Sequence, residues 1–509
     1  VAPDLIERKA LMKHWILRSS TALAALLAAN AVLADVTPED VWQSWQDQYA
    51  AMGQPVTAES VARDGDTLVV AGVKATTSSA TNKTETLIPQ LRMKDQGDGT
   101  VEVTMSGDMA ITSTTTASED VPAMKMDGTV KLPGMVTIAS GSPDAVAYAY
   151  TMPEMDMVMN LSEDDKAPGT VSVKLGDAKG DYLIAGPADA KSMEGTFTAA
   201  SAAMTLDVTD STSTVKASFN AADLAATMKG NFVGVDMEKI NEALAKGMAV
   251  DMSLTYGATS YDMDITDETG PGKITGGSEG GNFVMAMDKA RMMLAHGSKN
   301  VAVTLSGMGI PFPEAKVTYA ESGFNMTLPV GKSDAPADFA FLTKLVDLNV
   351  SDEIWGMLDP TAQLPHDAAT LVIDTKGTMR VTADMLDDAA MAALGEAAPA
   401  ELHSLDVTEV KLTFAGAELT GAGAFTFDNS DLTTFEGMPA PTGKMDLKLV
   451  GGNTLMDKLV AMGMLTEDDV MGARMMMAMF GSAVEGKDEI TSTMEAKDKH
   501  IFVNGQQIQ

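Results

Sequence analysis

Four groups of side chains in this sequence have types and spacings that could do chemistry. Gly276-Gly277-Ser278-Glu279-Gly280 matches G-x-S-x-G, the spacing of a nucleophile elbow, where a strained strand-to-helix turn holds a serine hydroxyl exposed for acyl transfer. Methionines cluster at Met124/Met126, Met155/Met157/Met159, Met285/Met287 and along 475–479, and soft thioether sulfur suits Cu(I). Asp262, Asp264, Asp267 and Glu268, and separately Asp95 and Asp98, gather oxygen ligands of the kind calcium takes. The histidines downstream of the leader, His296, His366, His403 and His500, are isolated from one another.

Each signal has a plainer competitor. Ser278 lies in a run of small and acidic residues with no apolar strand leading into it, so a flexible linker is the stronger reading and a serine hydrolase the distant one. Met155, Met157 and Met159 fall at i, i+2, i+4, one face of a strand, where methionine is flexible core filler. They remain the copper candidates. The helix over 466–480 is expected to bury its apolar side. Neither acidic cluster has the D-x-[DN]-x-[DN]-G spacing of a calcium loop, so both read as solvated turns. The histidines show neither H-E-x-x-H nor H-x-H and read as surface or loop residues. No catalytic residue, cofactor or metal ligand is therefore assigned, and the chain reads as non-enzymatic.

Composition narrows the classes further. The chain has 509 residues, 36 Lys+Arg against 71 Asp+Glu for a formal net charge of −35, 40 Met and no Cys. Nucleic acid is an unlikely partner for so acidic a surface, because binding it depends on Lys and Arg neutralising phosphates. Thiol catalysis, thiolate metal sites and disulfides are excluded. At 45% hydrophobic and 21% charged residues, the composition supports a packed core.

The leader sets an expected compartment. Lys13 and Arg18 precede an Ala/Leu-rich apolar run over 21–33, too short to span a bilayer, and Val32 and Ala34 supply small residues at −3 and −1. Cleavage is expected between Ala34 and Asp35, giving a periplasmic protein with no transmembrane segment after cleavage. Residues 1–34 are thus read as an extension plus signal peptide.

From residue 35 onward the chain is read as β-rich α+β, with large antiparallel curved sheets, short helices covering one face, and a C-terminal helical hairpin followed by a β-hairpin. Thr37-Pro38-Glu39-Asp40 announces a helix with Val41, Trp42, Trp45, Tyr49 and Met52 at helical spacing. From 64 to 266 the period is two, broken by Gly, Pro, Asp and Asn turns, which predicts a meander. Helices are expected at 221–229, 236–246, 284–295, 336–346, 352–358, 384–394, 454–462 and 466–480. The glycines of 269–281 predict a linker between lobes 35–270 and 271–509.

Several strings carry a resemblance: Leu348-Asn-Val-Ser-Asp-Glu-Ile-Trp-Gly-Met-Leu-Asp-Pro360, Gly423-Ala-Phe-Thr-Phe-Asp-Asn-Ser-Asp431, Gly437-Met-Pro-Ala-Pro-Thr-Gly443, Met475-Met-Met-Ala-Met-Phe480 and Asn504-Gly-Gln506. Together they resemble an uncharacterised family of alphaproteobacterial secreted proteins known only as a domain of unknown function. The resemblance implies an exported β-rich protein and no activity. In its strand-rich build and closing Val-Asn-Gly, the chain is more distantly similar to envelope proteins whose long curved sheets hold lipid in a groove. The expected role is binding or scaffolding in the envelope, with a lipid or other apolar ligand as partner. A Met-rich copper-handling protein is the alternative.

Overall fold

The computed structural model describes residues 35–79, 81–116, 123–163, 166–210, 212–233, 240–395 and 397–509. The signal-peptide reading, and Ala34 with it, lies outside these residues. Strands dominate, and the 27 described strands join a single sheet. Every pairing is antiparallel, and most are between strands consecutive in the chain, as Ala145–Glu163, Lys166–Ala185, Lys191–Thr209 and Thr214–Phe232 are in turn, while Val101–Ser106 skips to Val136–Ser142 and Ala249–Tyr256 to Gly280–Met287. The meander runs on through Arg291–Gly307, Ala315–Pro329, Ala337–Val350, Ala369–Val381, Ala400–Phe414, Ala417–Asp428, Ala440–Val450 and Glu489–Lys497. No described pairing joins the first strands to the last, so the sheet is open.

A row of backbone dislocations crosses the middle of the strands. Asp177, Asp223, Asn300 and Asp347 all take positive φ between 47° and 53°, a left-handed conformation that Asp and Asn tolerate better than other side-chain-bearing residues. Each interrupts a ladder: pairing skips from Gly176↔Glu154 to Ala178↔Met152, opposite Pro153, and from Ser201↔Ala222 to Ala199↔Leu224. It likewise skips from Lys299↔Glu321 to Val301↔Tyr319 and from Leu345↔Leu371 to Leu348↔Ala369. In between, Thr214–Phe232 pairs with two shorter strands, Ala249–Tyr256 and Thr259–Asp267, separated at Gly257. The register is kept across the first three breaks and shifts by one only between Leu345 and Leu348, so the common element is a left-handed kink that turns the following side chains to the other face. Met152 and Met155, and Leu175 and Ala178, each three residues apart across a break, accordingly pack into one cluster with Phe197 and Ala199. The apolar face is continuous across this crease.

The opposite face is polar and laced with cross-strand ion pairs, including Lys216–Asp207 at 2.9 Å and Lys273–Asp262 at 2.6 Å. The six described helices are α1 (Pro38–Ala51), α2 (Ile240–Ala245), α3 (Asp352–Leu358), α4 (Asp388–Leu394), α5 (Gly452–Ala461) and α6 (Glu467–Phe480). None is long and apolar enough to cross a membrane. The largest core cluster lies under α1. Val41 and Trp42 pack there with Leu68, Val70, Leu91, Met93, Val101, Val146, Tyr148 and Ile184. Thr37 opens α1 with the expected capping box, its hydroxyl accepting from the Asp40 amide and Asp40 accepting from the Thr37 amide.

Three expected helices are strands instead. Residues 221–229 belong to Thr214–Phe232, 336–346 to Ala337–Val350, and 284–295 to the hairpin of Gly280–Met287 and Arg291–Gly307. Ala-rich helix propensity loses at 221–229 because both flanking strands supply full backbone ladders. At 284–295 the missed signal is Asp288, whose carboxylate accepts from the Ala290 and Arg291 amides and closes a tight turn. Helices at 352–358 and 466–480 stand as expected, that at 384–394 is reduced to α4, and residues 236–239 lie outside the described set.

The expected linker is sheet as well. Gly270–Ser278 is bonded to Thr259–Asp267 on one side and to Arg291–Gly307 on the other. A Cβ at Gly276 would collide with the Tyr261 hydroxyl and the Ala302 carbonyl. These glycines make room for an aromatic ring folded over the neighbouring strand. The boundary expected at 270/271 falls where this strand begins.

Candidate functional site

The site with the strongest chemical character is the apolar face of the sheet beside α1. Trp45 and Tyr49, one turn apart on the helix, overhang a cavity of about 620 Å³. Its walls come from Ile88, Met105 and Met135 on one side and Phe197, Met228 and Met252 on the other. From the strand of Ile88 to that of Met252 there are seven strand spacings, about 34 Å on a flat sheet at ~4.8 Å each. On a flat sheet one helix could not reach strands so far apart, yet α1 packs on Leu68, Val70 and Leu91 and its Gln48 Nε2 lies 3.2 Å from Met193 Sδ. The sheet must therefore curl, and the apolar face is its concave side.

Glycine–aromatic pairs assist the curling. Tyr150 lies over Gly180 and Tyr182 over Gly195. Removing a side chain opposite each ring relieves crowding on the inside of the bend. Tyr148 stacks on Tyr182 with ring centroids 4.7 Å apart, and burial pushes both phenols far above the usual tyrosine range. The Tyr148 hydroxyl and the Trp45 indole N–H are buried with no hydrogen-bond partner among the described residues. Ser44 and Trp45 come near that hydroxyl without hydrogen-bonding geometry. A few polar groups edge the cavity: Gln48, Thr137, Asp181 and Thr196, the last donating to Asp181 Oδ1 at 2.8 Å. An apolar concavity with sparse polar groups is the usual build of a small-molecule site.

Away from α1 the same face is uncovered. Met204 is 43% exposed, Phe341 38% and Leu412 44%, although their cross-strand partners on this face are themselves apolar, as in Met204↔Val173 and Leu412↔Leu371. The other helices sit at strand ends, α2 in a cluster with Val250 and Met287, and α3 in one with Leu364, Ala415 and Leu455.

The sequence candidates turn out to be parts of strands and turns. Met155, Met157 and Met159 line one face of their strand and pair with Leu175, Val173 and Val171, so their sulfurs join the aliphatic wall. Ser278 ends a strand, its hydroxyl 2.8 Å from Thr259 Oγ1 and its amide donating to the same oxygen. Strand leads to strand there, and no elbow forms. Lys273 bridges Asp262 and Asp264, Asp267 accepts from the Thr269 amide and hydroxyl, and Asp95 and Asp98 cap their own turn. Among the described residues no three His, Asp or Glu side chains are grouped to hold a metal ion. His296, His403 and His500 lie in strands rather than loops, and His366 stacks on Trp355 at 4.5 Å.

What sequence reasoning missed is the crease and the reach of the groove. Pro153, Asp177, Asp223, Gly257, Asn300 and Asp347, turn-type residues recurring in mid-strand, were its signal. Compared with protein-family models, curated proteins and solved structures, the chain matches none.

Proposed function

We propose that this chain is an exported, non-enzymatic envelope protein that holds a lipid acyl chain or comparable apolar ligand in the concave face of its sheet. One observation carries the reading: an apolar face, enclosed at one end by α1 around a cavity of about 620 Å³, continues outward with large side chains left part-exposed. Soluble chains seldom leave a contiguous apolar surface of that extent without an occupant. Methionine walls suit a ligand of variable shape, because the unbranched thioether repacks easily. The periplasmic assignment rests on the basic and apolar residues of 1–34 and the Ala34/Asp35 junction.

The test is native mass spectrometry of the gently purified protein, paired with titration of an apolar fluorophore. Bound lipid is expected, displaced by the fluorophore, and Met228→Glu in the cavity wall should weaken fluorophore binding at least tenfold with the circular dichroism spectrum unchanged. A clean apo mass together with no fluorophore uptake overturns the proposal.

A further inference from the structure

The C-terminal helix α6 departs from the expectation that its apolar side is buried. Val470 is its one fully buried residue, Met477 is half-buried, and Arg474 ties the helix to α5 through Asp457 at 2.6 Å and Asn453 at 3.0 Å. At 100° per residue, Val470, Arg474 and Met477 share one side of the helix. Met475, Met476 and Met479 centre on the opposite side and are 64%, 54% and 59% exposed. Packing gives no reason for methionine there, since the solvent face of a helix ordinarily carries charged side chains.

Met479 is the shared neighbour of the other two. Met475/Met479 is an i, i+4 pair and Met476/Met479 an i, i+3 pair, with Cβ atoms about 5–6 Å apart. A methionine sulfur reaches about 2.8 Å from its Cβ, and metal–sulfur bonds run about 2.3 Å. Three flexible thioethers can therefore meet on one ion without unwinding the helix. Met471, a turn before Met475 and 59% exposed, is too far from Met479 to share that ion. The only cation on the helix, Arg474, is engaged by Asp457 on the other side, and Asp468 in the first turn adds negative potential on the exposed side. Neutral sulfur donors on a negatively charged protein favour a soft monovalent cation over Mg²⁺, Ca²⁺ or Zn²⁺.

We propose that Met475, Met476 and Met479 form a three-sulfur binding site for Cu(I), on the solvent face of α6. This differs from the strand stripe Met155/Met157/Met159, whose sulfurs lie among Val130, Val171, Val173 and Leu175. It does not depend on the groove having a ligand.

The experiment titrates Cu(I), held by a chromogenic chelator under anaerobic conditions, into the full chain, and repeats the titration with Ag(I). Methionine methyl NMR of ¹³C-labelled protein reports which side chains respond. One equivalent is expected, with its affinity lowered at least tenfold by the combined Met475→Leu, Met476→Leu and Met479→Leu variant and unchanged by Met155→Leu, Met157→Leu and Met159→Leu. Leucine keeps volume and helix propensity, and far-UV circular dichroism checks that α6 stays folded. No competition with the chelator, or equal affinity in the wild type and the α6 variant, overturns the proposal. So does loss of binding in the strand variant alone.

Discussion

Asp210 closes the turn between Lys191–Thr209 and Thr214–Phe232. Its carboxylate accepts from the Thr212 amide at 2.6 Å and the Ser213 amide at 2.7 Å, with both hydroxyls adding further bonds. These bonds favour the charged form and lower its pKa to about 2. A carboxyl whose folded pKa lies below its unfolded value contributes stability above the unfolded pKa, near 4, and loses that contribution as pH falls through the folded value. The difference in urea midpoint between the wild type and Asp210→Asn should therefore be largest above pH 5 and shrink steadily between pH 4 and pH 2. A difference that stays constant over that window would show that the carboxylate charge plays no part in holding the turn. The same residue type serves a different purpose at 177, 223 and 347, where it supplies positive φ at the crease. Sequence alone does not separate the two uses, because both rest on Asp being small, polar and tolerant of left-handed backbone.

At the scale of the element, α1 closes the groove and nucleates its largest core. Trp42 is buried against Val70, Leu91 and Val101, so Trp42→Ala should cost about 3–5 kcal/mol in urea unfolding. A loss under about 1 kcal/mol would mean that the helix is not docked on the sheet in solution. This helix was fully legible: its cap, its Pro at N1 and its aromatic stripe are local signals that tertiary contacts reinforce. The strands at 221–229 and 284–295 were not. Ala221, Ala222, Ala225, Ala226 and Met228 are good helix formers, and their identity as a strand comes from partners at 191–209, 249–256 and 259–267. The candidate groove was legible only as a leftover apolar face, since which side chains meet across it depends on curvature that no single strand encodes. α6 fails in the opposite way: its local pattern reads correctly as helix, while the outward side of Met475, Met476 and Met479 is set by Arg474 gripping α5.

For the whole molecule, the core is unevenly distributed. The large cluster belongs to residues 36–184, whereas the described clusters of the second half are small, as around Trp355, Leu364 and Ala415. A fragment of residues 35–268 should unfold cooperatively in urea and keep its near-UV circular dichroism. Residues 270–509 expressed alone should show no cooperative transition and should bind an apolar dye, because Gly270–Ser278 loses its partner Thr259–Asp267 and becomes a raw edge. Equal cooperativity in the two fragments would contradict that picture. The pairing of most strands with segments close in sequence has a kinetic consequence as well. Contacts between adjacent segments close short loops and carry little entropic penalty. A chain delivered from its N-terminus can therefore lay down the α1 core first and add one strand at a time to a finished template. The edge stays open longest at Val101–Ser106, covered only when Val136–Ser142 emerges, and at Ala249–Tyr256, which waits for Gly280–Met287.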